Sequence, residues 1–269
     1  MKSILLHVYD DTGLESRLQA AFDLARTFEG HVTCLHATPF EDYLAIDPLL
    51  MAYLPEEFSE KMKALRFALQ ARIEDRLRSE GLSWDWMHVD ELPSRALIGA
   101  SILADVVVVS LSGGALFRDE PRPLAAAVAT KARAPVLAVP ESLRALDLEA
   151  PVLIAWNGSS EAAAALRSSL PILRQASAVH IIEVQDKPAP YPRDAAARYL
   201  ARHGIEAEIS QRPQIQGSTS RTIESAGLAL GAGMIVMGAY GHSRLREYLL
   251  GGVTHDLIGD CRLPLLLGH

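Results

Sequence analysis

Residues 234–254 read MIVMGAYGHSRLREYLLGGVT, and the fold can be read outward from them. Met234, Ile235, Val236 and Met237 form a short unbroken apolar run that stops at a glycine, the pattern of a strand buried on both faces of a parallel sheet. Beyond it, Gly238 and Gly241 are separated by two residues, nine positions from His242 to Leu250 follow, and Gly251 and Gly252 precede a helix predicted to begin near Val253 or Thr254. A loop of this kind leaves backbone N–H groups bare and ends at the positive pole of a helix, a combination suited to a phosphate. Single glycines more often only mark turns. Here the spacing, the strand before and the helix after favour the anion loop.

Length and composition frame that reading. The chain of 269 residues is long enough for two domains, and its 49% hydrophobic content can fill their cores. A formal charge of −7 argues against a general nucleic-acid surface. Cys34 and Cys261 are the only cysteines, so neither a disulfide framework nor a Cys-rich zinc site is expected. The opening MKSILLHVYDD reaches acidic residues too soon for an export signal, and no apolar stretch has the length of a membrane span. A cytoplasmic protein with no membrane partner is the expectation.

The first half alternates strand and helix patterns: strands at Ile4 to Tyr9, His31 to Ala37, Trp84 to Val89, Val106 to Val109 and Pro135 to Val139, with helical periodicity between them. Leu14, Leu18, Ala21, Ala25 and Phe28 make one helix stripe, and Phe58, Met62, Leu65, Leu69, Ile73 and Leu77 another. After a polar break at 141–150 the order restarts. Asn157 falls 147 residues after Asp10, and Val179 and Ile182 fall 147 after Val32 and Leu35. Ser110 and Gly113 fall 128 before Gly238 and Gly241. The chain is therefore read as a tandem α/β protein, with related domains at 1–143 and 144–269, each an open, mostly parallel five-stranded sheet with helices on both faces. Ligands of such sheets bind at the strands' carboxyl ends.

The strand, the Gly-x-x-Gly, the nine residues and the Gly-Gly-Val-Thr together resemble the nucleotide loop of the universal stress protein family. No Gly-Lys dipeptide occurs, so a P-loop is absent, and Gly227-x-x-x-Gly231-x-Gly233 precedes a strand where a dinucleotide fingerprint must follow one. The resemblance implies a Rossmann-like domain that binds ATP or a related adenine nucleotide, with Mg²⁺, in a stress-response or signalling role. It carries over to Gly238, Gly241, Gly251, Val253 and Thr254, and departs at Gly252, where the family has serine or threonine. It also implies roles for Asn157, which stands where the family has aspartate, and for Val179 through main-chain contacts to adenine. His242 and Arg244 supply positive charge near the phosphates, whereas Arg246 and His255 read as surface and helix residues.

In the first half the corresponding loop, SLSGGALFRDEPRPLAAAVA, has Ser110 for the first glycine, Pro123-Leu124 near the third, and Asp119 and Glu120 in between, so nucleotide binding is expected only in the second half. No residue set for water attack on a phosphate and no Gly-x-Ser-x-Gly elbow is present, so at most slow ATP hydrolysis is expected. The alternative is a partner-binding scaffold of the same fold without nucleotide. The family also pairs domains through their last strands. That implies pairing of Val136–Val139 with Leu265–Leu267 inside one chain, and homodimerisation is a further partner expectation.

Overall fold

The computed structural model describes residues 1–39, 56–111, 123–185, 191–239 and 252–269. Five strands and four helices are described in the first half: β1 Ser3–Val8, α1 Leu14–Phe28, β2 His31–Ala37, α2 Glu56–Ser79, β3 Ser83–Val89, α3 Pro93–Ala100, β4 Val106–Ser110, α4 Leu124–Ala129 and β5 Val136–Val139. The second half repeats the plan with β6 Val152–Ala155, α5 Ser160–Ser168, α6 Leu170–Leu173, β7 Val179–Gln185, α7 Arg193–Arg202, β8 Glu208–Pro213, α8 Thr219–Ala229, β9 Met234–Gly238, α9 Val253–Asp260 and β10 Leu265–Gly268.

The two five-stranded sheets expected from the sequence are one sheet of ten strands, in the order β3-β2-β1-β4-β5-β10-β9-β6-β7-β8. Within each half every pairing between the named strands is parallel. The halves meet antiparallel, Leu265 against Ala138 and Leu267 against Val136. Each last strand would otherwise present a row of unpaired N–H and C=O groups, and joining them covers both edges. The run Met234–Met237 is fully packed because β9 lies between β10 and β6 with helices above and below.

Alternation of side chains across the sheet gives two cores, and each runs through both halves. One face buries Ile4, Leu6, Val108, Ile154 and Val236 under α1, α2, α5, α6 and α7. The other buries Leu5, Val107, Leu153, Ile235 and Leu267 under α3, α4, α8 and α9. The stretch 141–150 is not the loose polar break its composition suggests. Leu146 and Leu148 are buried, the Leu146 N–H donates to Asp23 Oδ2 at 2.8 Å, and the buried Ser16 hydroxyl donates to the carbonyl of Glu141 at 2.6 Å.

Helix α2 departs from its expected stripe. Leu69, Ile73 and Leu77 are buried, but Leu65 is 56% exposed, because the 24-residue helix is longer than the strands it packs on. The side chains of Phe58 and Met62 lie outside those described.

Candidate functional site

In the second half the tip of β6 turns through Asn157 and Gly158. Asn157 Oδ1 accepts from the Ser159 N–H at 3.1 Å, an Asx-turn, and Gly158 takes the positive φ of 72° that this turn needs. Ser159 then caps α5 by accepting from the Ala162 N–H at 3.1 Å. Asn157 itself is exposed at the strand tip.

Gly238 ends β9 beside this cap. A Cβ built there would lie 2.4 Å from the Ala162 nitrogen and 2.7 Å from the Glu161 carbonyl carbon. Its neighbour in register, Gly268 of β10, would put a Cβ 2.4 Å from the Cα of Ala165. The glycine at 238 is thus required by the close seating of α5 on the sheet, not by direct approach of a ligand to its own Cα. The seating brings the N-terminal turn of α5 to the tip of β9.

Gly252 caps α9 with φ −164° and ψ 158°, an extended conformation open to any residue, and its missing Cβ faces open space. Glycine as the cap supplies no side-chain oxygen of its own to the first-turn N–H groups of the helix. Val253 packs partly into the core and Thr254 is 8% exposed. Gly241, His242, Arg244, Arg246 and Gly251 lie outside the described residues.

One site assignment is corrected by the strand register. Val179 begins β7, paired with Val152, which pairs with Met234 at the start of β9. It is buried at the amino end of the sheet, about 13 Å of strand away from Gly238. The residues of β7 at the ligand end are Glu183 and Val184. Glu183 is ion-paired with Arg193 of α7, and the indole of Trp156 donates to the Tyr191 carbonyl at 3.0 Å, so the start of α7 is fastened across the ends of β6 and β7.

The sequence reading missed Glu161 and His269. Glu161 lies in the first turn of α5, against Gly238, and His269 Nδ1 lies 3.3 Å from the Ala239 carbonyl oxygen. Burial pushes the Glu161 carboxyl up, but its own N–H, the hydroxyls of Ser160 and Ser159, and His269 together hold it below the usual carboxylate range. An acidic residue at the first turn after a serine cap was the available signal. Among the described residues no group of three or more His, Cys, Asp and Glu is placed to hold a metal ion.

The matching position in the first half is filled. Ser110 stands where Gly238 does, and the guanidinium of Arg17 from α1 reaches its Oγ at 2.5 Å. The same guanidinium donates to the carbonyls of His7 and Tyr9, each at 2.9 Å, and to both carboxylate oxygens of Asp11, at 2.8 and 3.2 Å. The Arg17 side chain is 1% exposed and Asp11 26%. Burial pushes the Arg17 pKa down and Asp11 pulls it back. Asp11, not Asp10, is the geometric counterpart of Asn157, since its Oδ1 accepts from the Gly13 N–H at 3.0 Å, while Asp10 reaches out to Arg72 at 2.6 Å.

His7 and His36 are buried near this filled crevice. Burial, then Arg17 and His36, hold the His7 pKa well below 6.5; burial, then His88 and Arg66, lower His36 to about 4. The unfolded chain therefore binds more protons than the native one below pH 6.5. Stability from these groups is fully present above that pH and is lost as pH falls from about 6.5 toward 4. His36 alone accounts for up to about 3 kcal/mol. Urea midpoints of the parent chain are expected to fall steeply between pH 6.5 and 4.5, and His36→Gln to flatten that slope.

A ten-stranded sheet with helices on both faces and helix N-termini at strand carboxyl ends makes this an open-sheet α/β protein. Residues 150–268 match the model of the universal stress protein family. Over the whole chain, a universal stress protein from Archaeoglobus fulgidus DSM 4304 has the same fold, with a TM-score of 0.75 at 17% identity, covering 98% of this chain and 95% of that one. A putative universal stress protein from Pseudomonas aeruginosa UCBPP-PA14 gives 0.62 at 17% identity, covering 99% and 92%. A universal stress protein in complex with cAMP covers 45% of this chain and 97% of its own at 18% identity, with a TM-score of 0.34. No curated protein matches the chain.

Proposed function

We propose that the second domain binds ATP or a related adenine nucleotide at the carboxyl ends of β6 and β9, and that the protein works as a nucleotide-responsive regulator in a cytoplasmic stress or signalling pathway. The observation that carries this reading is the contrast between the two crevices. In the second half no buried cation lies at the crevice among the described residues, which present main chain at Gly238 and Gly252, the side chains of Asn157, Glu161 and His269, and the N-terminal turns of α5 and α9. In the first half the buried guanidinium of Arg17 takes that place. Gly241, His242, Arg244 and Gly251 complete the phosphate loop in this reading.

Mg²⁺ fits as an ion carried on the phosphates, with Glu161 in the first turn of α5 a carboxylate that could take part, since Mg²⁺ commonly takes one or two carboxylates and otherwise phosphate and water. Glu161 and the serine-capped turn orient the phosphate end, and no described residue is placed to activate water. Hydrolysis is therefore slow at most.

Adding ATP with Mg²⁺ at a hundred times its Kd should raise the melting temperature by about 5 °C or more. Gly241→Val or Gly251→Val should abolish the rise. Gly252→Ser, which restores a hydroxyl where space is open, should tighten binding about tenfold. A parent chain whose melting is unmoved by ATP, ADP and AMP would favour the scaffold reading instead.

A further inference from the structure

We propose that the first domain has a ligand site of its own, for a small oxyanion, enclosed by β2, β3 and α2. Three buried side-chain polar atoms among the described residues have no hydrogen-bond partner: His7 Nε2, His36 Nδ1 and Trp86 Nε1. All belong to β1, β2 and β3 of the first half. Buried polar atoms are rarely left unpaired, because desolvation without a replacement bond is costly. His7 follows the alternation of Leu5 and faces α3 and α4, so it stands apart.

His36 and Trp86 share the α2 face. Strand register pairs Cys34 with Trp86 and His36 with His88, which makes Trp86 and His36 diagonal neighbours, their ring centres 6.1 Å apart. The His88 ring lies 5.3 Å from that of His36 on the other side. His36 is 5% exposed.

The protons can be assigned from the partners. Arginine only donates, so His88 Nε2 accepts from Arg66 at 2.8 Å, and His88 Nδ1–H then donates to the His36 carbonyl at 3.1 Å. His88 is thereby neutral with both nitrogens used. Trp86 Nε1–H can only donate. His36, kept neutral by burial and by the neighbouring His88 and Arg66, is free to present Nδ1–H as a second donor. Among the described residues, the permanently charged group acting on His36 is the guanidinium of Arg66. Two vacant donors next to a cation call for an acceptor with negative charge, a carboxylate or phosphate oxygen.

The test uses the full chain labelled with ¹⁵N in its three indoles, Trp84, Trp86 and Trp156. Sodium acetate and sodium phosphate are titrated separately at millimolar concentrations against sodium chloride of equal ionic strength. The expected result is a saturable shift of the Trp86 indole N–H with one or both anions, which distinguishes a carboxylate from a phosphate ligand. Trp156, already bonded to the Tyr191 carbonyl, should stay still. Arg66→Gln and His36→Phe should each weaken the response about tenfold or more. A Trp86 signal that follows neither anion overturns the proposal, as does one that shows only contact with a bound water. A response undiminished in both variants also overturns it.

Discussion

Arg17→Met is expected to lower the stability of the chain by about 3–5 kcal/mol, the range for removing one member of a buried ion pair. The methionine fills the volume, but it strands the carbonyls of His7 and Tyr9, the hydroxyl of Ser110 and the carboxylate of Asp11, all of which the guanidinium satisfies. Arg17→Lys should recover only part of the loss, since an ammonium on a single stem cannot reach acceptors on β1, β4 and the β1–α1 turn together. Urea denaturation measures both. Because each apolar core runs through both halves, the loss should appear as one shifted transition and not as melting of the first half alone. A variant within 1 kcal/mol of the parent would mean that the buried fork has little energetic role.

Gly238→Ala and Gly268→Ala form the second large effect. Each adds a methyl group within 2.4 Å of backbone atoms of α5, so the helix must lift off the sheet. Overpacking against main chain is expected to cost about 3 kcal/mol in either variant. The double variant should cost less than the sum, because one displacement of α5 relieves both clashes. Gly252→Ala is the contrast, with open space at the Cβ position and an expected change within about 0.5 kcal/mol. Thermal melts of the four chains check the series. Gly238→Ala should also weaken ATP binding, because it shifts the helix whose first turn carries Ser159 and Glu161.

The elements that announce themselves in the sequence are those whose burial is uniform. Val106–Val109 and Met234–Met237 are packed on both faces, and their unbroken apolar runs mark β4 and β9. The tandem repeat was legible because strand spacing survives where side chains change. Strand β8, with the sequence EISQRP, gave no apolar signal because it is an edge strand with exposed charges. Arg17 was hidden by its type: an arginine in the first turn of an amphipathic helix reads as surface, although it sits unfavourably near the positive pole and beside Asp11. Val179 was misplaced because a one-dimensional match of strands does not say which end of a strand faces the ligand. Gly238 was identified as a required glycine, but the atoms that require it belong to a helix some seventy-five positions earlier, which spacing along the chain does not reveal.

The antiparallel seam between β5 and β10 has one more outcome. Since the halves point in opposite directions, the mouth of the Arg17-filled crevice at Ser110 and the mouth at Gly238 open on opposite rims of the slab, with β4 and β9 about 14 Å apart across it. A ligand entering at Gly238 therefore approaches from the rim opposite to the one that carries Arg17 and Ser110.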